Sequence, residues 1–279
     1  MNADKSATVV AFSASTLTRP KFKALPPLSL YVHIPWCLKK CPYCDFNSHE
    51  ARDDLPEAAY VDALLADLEF ALPSIWGRKV ISVFIGGGTP SLFSPESINQ
   101  LLSGIRARVP LYADVEITLE ANPGTFERAK FAGYYAAGIN RLSIGIQSFD
   151  PRHLQALGRA HDADEARRAA EAAMMMFDTV NFDLMYALPG QTLDDARRDL
   201  EIALEFSPPH LSFYHLTLEP NTLFHRYPPP LPDDDTAADM EEMIDNVLSR
   251  AGYFHWTSIE IESSLDARAC ATRGRGSRH

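Results

Sequence analysis

The chain has 279 residues, 46% of them apolar and 23% charged, with 26 basic against 37 acidic side chains and a formal charge of −11. That composition belongs to a soluble globular protein and excludes global disorder, which needs low hydrophobicity together with high net charge. The acidic excess disfavours nucleic acid as a partner, since binding it needs a basic face. No apolar run reaches the ~20 residues of a helical membrane span, and peripheral membrane contact stays open.

Residues 1–27 are expected to form a flexible N-terminal extension. Its apolar stretch, Ala7 to Phe12, is too short and too poorly flanked for a secretory signal, so a cytoplasmic location is expected. β-branched apolar runs then recur at Leu30 to Ile34, Val80 to Ile85, Val115 to Leu119, Leu142 to Ile146, Val180 to Leu184 and Leu211 to Leu216. Most read as apolar on both faces, as in strands covered on both sides. Helical stripes alternate with them. Tyr60, Leu64, Leu65 and Leu68 form one. Ile98, Leu101, Leu102 and Ile105 form another, entered through the cap-and-proline pair Ser94-Pro95. Asp162 with Glu165 has capping-box spacing before an alanine-rich helix, whose Met174 to Met176 read as a face packed on the sheet. Thr192 precedes a helix carrying Ala196, Leu200 and Leu204. Prolines from Pro228 to Pro232 make a surface linker to a last stripe, Met240, Met243, Ile244 and Val247, which ends at Gly252.

Strand and helix alternating six times predicts right-handed βαβ units, an α/β class and a parallel sheet. A doubly wound open sheet and an incomplete (β/α) barrel both fit, and both place function beyond the C-terminal ends of the strands.

Cys37, Cys41 and Cys44 follow the first strand with spacing C-x3-C-x2-C. Thiolates on one loop can converge on a single metal centre, and such clustering points to a reducing compartment. Zinc would want a fourth ligand, and His33 or His49 could supply it. A [4Fe–4S] cluster held by three cysteines would keep one iron open.

The stretch from Tyr31 to Cys44, YVHIPWCLKKCPYC, resembles the cluster loop of the radical SAM superfamily. With Tyr31, His33, Ile34 and Pro35 around it, it is most similar to the family of oxygen-independent coproporphyrinogen III oxidases and their HemW-type relatives. The resemblance implies a partial (β/α)6 barrel of TIM type over residues 28–252. It implies a [4Fe–4S] cluster on Cys37, Cys41 and Cys44, with S-adenosylmethionine (SAM) chelating the open iron through its amino and carboxylate groups. Cleavage of SAM would then yield a 5′-deoxyadenosyl radical.

The remaining motifs gain roles by the same resemblance. Gly87, Gly88 and Thr89, in the turn after the second strand, would hold the methionyl amino group; by themselves they read equally as a tight turn. Glu120, at the end of the third strand, and Tyr31 would contact the cofactor. Gln147, ending the fourth strand, and Arg159, twelve residues on, would act as a pair. Asp183, a charge in an apolar run that needs a partner, would bond the ribose, and Leu216 would offer backbone to adenine. Glu116 shares a face with Glu120 but lies deeper, and Arg141 reads as structural.

Two members of the family fit. True coproporphyrinogen oxidases carry a fourth cysteine two residues after the third, where this chain has Phe46. HemW-type proteins are heme chaperones that carry heme to respiratory hemoproteins, with an electron donor for the cluster. The chaperone reading is preferred, with SAM-dependent oxidative decarboxylation of coproporphyrinogen as the alternative. Residues 253–279 are expected to be an atypical tail. From Thr257 they are arginine-rich and aperiodic and hold Cys270. The segment that the family carries there is expected to be missing, through truncation or a frameshift.

Overall fold

The computed structural model describes residues 24–51, 54–124, 128–255 and 260–263. Cys270 and most of the tail lie outside them.

Strand β1 spans Leu28–Ile34. The short strands β2 (Trp36–Cys37) and β3 (His49–Glu50) pair with each other and close the base of the cysteine loop. Helix α1 (Glu57–Ile75) leads to β4 (Val80–Gly87) and, after a 3-10 turn at Pro90–Leu92, to α2 (Pro95–Arg108). Next come β5 (Leu111–Ala121), α3 (Phe131–Ala137), β6 (Arg141–Gln147), α4 (Pro151–Ala156) and α5 (Ala163–Met176). Strand β7 (Thr179–Tyr186), α6 (Leu193–Glu205), β8 (His210–His215), α7 (Leu223–Arg226) and α8 (Asp234–Arg250) follow. Strands β9 (Tyr253–His255) and β10 (Glu260–Ser263) add an antiparallel edge beyond β8, so the sheet continues past the expected boundary at 252.

The six expected strands are β1 and β4 to β8, and all pair in parallel. Their order, β1-β4-β5-β6-β7-β8, never reverses. A doubly wound sheet must reverse at its switch point, so monotonic order selects the partial barrel.

The expected caps are present. Ser94 Oγ accepts the Ser97 N–H at 3.2 Å. Asp162 with Glu165 and Thr192 with Asp195 form complete capping boxes. On α5, Ala166, Ala169, Ala170 and Ala173 are buried, and their small side chains let the helix sit close to the strands. Met175 is 89% exposed and only Met174 packs on the core, so the Met174 to Met176 run is no packed face. At 3.6 residues per turn, three consecutive positions cannot share one narrow stripe.

The strands are not apolar on both faces. Val83 and Ile85, Ile117 and Leu119, Leu142, Ile144 and Ile146, Val180 and Phe182, and Leu211 and Phe213 form the core under the helices. The alternate positions face the barrel interior and are mostly polar, with Phe84 and Met185 among the exceptions. One register row there aligns Glu120 with Ser143 and Asn181, and Asn181 with His210; the next aligns Gly145 with Asp183 and Asp183 with Ser212. Because side chains alternate along a strand, one sequence builds both an apolar shell and a polar lumen.

Candidate active site

The ends of these strands and the cysteine loop enclose a cavity of about 360 Å³. Cys37, Cys41 and Cys44 line one side of it. Gly87, Gly88, Thr89, Glu120, Gln147, Arg159, Asp183 and Leu216 line the rest. Tyr31 is not a lining residue: it is 58% exposed, stacks on Phe84 with ring centroids 6.2 Å apart, and lies close enough to Glu120 to feel its charge.

The cysteine loop is tied down at both ends. The His49 N–H donates to the Pro35 carbonyl at 2.7 Å, and the Ala51 N–H to that of Cys37 at 2.8 Å. Lys40 Nζ spans the loop to the carbonyls of Phe46 and Ser48. Trp36 stacks with Phe93 and meets Tyr60 edge-on, which fixes the strand that carries Cys37. Burial pushes the Cys37 thiol up, while hydrogen bonds from Thr89 and Ser48 favour its thiolate. Of the two zinc partners the sequence offered, His33 has both ring nitrogens engaged. His33 Nε2 donates to the Asn47 carbonyl at 2.9 Å, and its Nδ1 meets Tyr31 Oη, also at 2.9 Å. His49 Nε2 turns to Asn47 Oδ1 at 3.2 Å.

Gly86 and Gly87 belong to β4 rather than to the turn after it, paired with His33 and Ile34. The N–H groups that follow are spent inside the protein: Gly87 on Glu120 Oε2 at 3.0 Å, Gly88 on the Ile34 carbonyl at 2.8 Å and Thr89 on the Trp36 carbonyl at 2.7 Å. The turn therefore has these three N–H groups already committed, which does not suit a phosphate. Only glycine fits at 88, since a Cβ there would lie 2.6 Å from the Trp36 carbonyl oxygen.

Glu120 lies one residue before the end of β5 and not at its end. Burial, and then the charge of Asp183, raise its carboxyl to about 7, against the opposing pull of the Gly87 N–H. Burial also raises Asp183, although Ser143 Oγ at 2.9 Å and Asn181 Nδ2 at 2.8 Å both donate to it. Two carboxylates that resist ionisation in one cavity favour a cation or hydroxyl donors as ligand. Glu116, below them, is exposed and takes the Thr118 hydroxyl at 3.4 Å.

Arg159 connects three parts of the site. Its Nη2 donates to Asn122 Oδ1 at 2.7 Å and to the Gly145 carbonyl at 2.8 Å, and its Nη1 reaches Cys41 Sγ at 3.6 Å. Asn122 in turn donates from Nδ2 to Thr89 Oγ1 at 3.1 Å. Leu216, just past β8, gives its N–H to the Tyr186 carbonyl at 3.1 Å.

Sequence reasoning missed Asn122, Ser143, Asn181 and Ser212, and set Arg141 aside, yet all five line the cavity. The signal was present. Arg141 to Gln147, RLSIGIQ, alternates apolar residues with Arg141, Ser143, Gly145 and Gln147, and Asn181-Phe182-Asp183 keeps the same period.

Three thiols beside about 360 Å³ of space, far more than one cation fills, fit an iron–sulfur cluster together with a nucleoside-sized ligand. The comparisons with known proteins agree. The heme chaperone HemW of Escherichia coli (strain K12) is 54% identical over 230 residues, covering 82% of this chain and 61% of that protein. The heme chaperone HemW of Haemophilus influenzae is 55% identical over 250 residues, covering 88% of this chain and 64% of its own length. Among solved structures, coproporphyrinogen III oxidase (HemN) from Escherichia coli, described as a radical SAM enzyme, superposes with a TM-score of 0.79 at 30% identity, covering 89% of this chain and 58% of that one. The chain thus spans about three fifths of the length of these relatives. Its sequence matches the radical SAM superfamily over residues 31–203, which include the cysteines and every cavity residue named above except Ser212 and Leu216, and the chain belongs to that superfamily.

Proposed function

We propose that this chain holds a [4Fe–4S] cluster on Cys37, Cys41 and Cys44, binds SAM beside it, and serves as the cofactor barrel of a heme chaperone. The observation that carries the reading is the convergence of the three thiols with Glu120, Asp183, Gln147 and Arg159 on one cavity. When bound and reduced, such a cluster supplies the electron that splits the sulfonium of SAM.

The chain's own residues have separable tasks. Glu120 lies in the cavity against the Gly87 N–H, where a bound amino group would favour its ionised form. Asp183, oriented by Ser143 and Asn181, accepts from ribose hydroxyls. Gln147 presents an amide, and Leu216 presents backbone to the base. Arg159 holds the cysteine loop against the strand ends.

The cargo in this reading is heme, passed in the cytoplasm to respiratory hemoproteins, with a separate donor reducing the cluster. Two observations favour it over decarboxylation of coproporphyrinogen. The HemW relatives are the more similar in sequence, and Phe46, which is 60% exposed, stands where the oxidases carry a further cysteine. No helix among the described residues is long and apolar enough to cross a membrane. The cofactor barrel is assigned to residues 28–252, with β9 and β10 as an antiparallel edge added to its sheet.

The test is anaerobic reconstitution followed by two incubations, one with heme and one with coproporphyrinogen III plus SAM. Iron and acid-labile sulfide with retained heme and no porphyrinogen turnover supports the chaperone. Protoporphyrinogen formation overturns it, and zinc without sulfide overturns the cluster.

A further inference from the structure

Asp199 lies on α6 and is 4% exposed, yet its carboxylate takes two donors from the exit of β6: Ser148 Oγ at 2.6 Å and the Phe149 N–H at 2.7 Å. The Ser148 oxygen then accepts the Asp150 N–H at 3.0 Å. Burying a carboxylate is costly unless donors compensate it; these two offset that cost only in part, and burial still raises the carboxyl to about 6.

The residue just before this clamp is strained. The Ser148 N–H donates back to the Ile146 carbonyl at 2.9 Å, with Gln147 between them at φ 67°. An i to i+2 bond around a positive φ is the rare form of γ-turn, unfavourable for a residue with a Cβ, and persists only where its surroundings over-determine it. A second buried side chain assists from the other flank, as His161 Nε2 donates to the Ile146 carbonyl at 3.2 Å. The strain has a local effect. Gln147 lines the cavity and Asp199 does not. A Cβ on Gly145 would lie 3.0 Å from Gln147 Nε2 and 3.4 Å from Arg159 Nη2, so the amide and the guanidinium converge over that one glycine.

We infer that Asp199 is a positioning residue for the nucleoside ligand: by clamping Ser148 and Phe149 it holds the strained turn that aims the Gln147 amide into the cavity. This rests on the SAM-binding reading proposed above.

The test is a double-mutant cycle in the cluster-loaded chain, with SAM titrated by calorimetry and iron content and Tm measured in parallel. Asp199→Asn keeps the shape but sets an NH2 against one of the two donors. It should weaken SAM binding about tenfold at full iron content. In a Gln147→Ala background the same change should cost nothing further, because the group it positions is gone. Ser148→Ala, which leaves the Phe149 bond in place, gives a milder loss of the same kind and serves if Asp199→Asn fails to fold. Asp199→Asn that binds SAM as tightly as wild type overturns the proposal, and so does a loss of equal size with and without Gln147, which marks a purely structural role. Iron-loaded wild type that binds no SAM overturns the cofactor reading, and the clamp's role with it.

Discussion

Arg159 Nη1 meets Cys41 Sγ at 3.6 Å across a sequence separation of 118 residues. The same guanidinium holds Asn122 and the Gly145 carbonyl, so a single fork joins the cysteine loop to the ends of β5 and β6. Lysine carries the charge but lacks the fork and cannot make these contacts together. Arg159→Lys should keep iron and lose about tenfold in SAM affinity. Calorimetry with parallel iron analysis would measure both, and an unchanged affinity would count against the cofactor role of Arg159.

Glu120 makes stability depend on pH. In the unfolded chain its carboxyl ionises near its ordinary 4.5, whereas the folded chain holds the proton up to about 7. Between those values the folded state binds more protons, so its contribution to stability is full below the lower value and is lost as pH rises through the upper one. Glu120→Gln removes that slope. Its Tm should fall less than that of wild type on going from about pH 5 to about pH 8. Parallel Tm curves for the two proteins would contradict the assignment.

Gly88→Ala places a methyl 2.6 Å from the Trp36 carbonyl oxygen and 2.9 Å from the Pro35 carbonyl carbon. Both are backbone atoms and cannot swing aside. A cost of about 1–3 kcal/mol is expected from the forced shift. It should appear as a lower denaturant midpoint together with reduced iron uptake, since the displaced segment leads directly to Cys37.

Cys41→Ala should abolish cluster binding, because two thiolates cannot hold the remaining irons. Cys270→Ala, in the tail, should leave it intact. Visible absorbance and sulfide analysis report both outcomes, and loss of the cluster in Cys270→Ala would show that the ligand set is wrong.

Ser94 caps α2 and also joins it to α1, donating from Oγ to Glu57 Oε2 at 2.5 Å. Ser94→Ala should cost about 1 kcal/mol, or about 2–4 °C in Tm for a chain of this size. Glu57→Gln in the same assay separates the cap from the inter-helix bond.

Local rules were enough for much of the fold. Capping at Ser94, Asp162 and Thr192 depends on residues three apart, so it could be read directly. The helices α3, α4 and α7 escaped notice because they have seven, six and four residues, too few for a stripe to repeat. Strand ends shifted as well: β5 runs from Leu111 to Ala121, because pairing with neighbours extends a strand beyond its apolar centre.

For this protein the sequence by itself determined the strand-and-helix alternation and the clustered thiols, since both rest on residue type and near spacing, whereas the other cavity residues it named rested on a family resemblance. Tertiary structure alone decided that Arg159 reaches Cys41, that the N–H groups of the glycine turn are already spent, and that Asp199 stands behind Gln147. These relations depend on register between strands distant in the chain and on the closing of an incomplete barrel. No local pattern specifies them, because the groups that compete for each donor and acceptor come together only when the sheet curves.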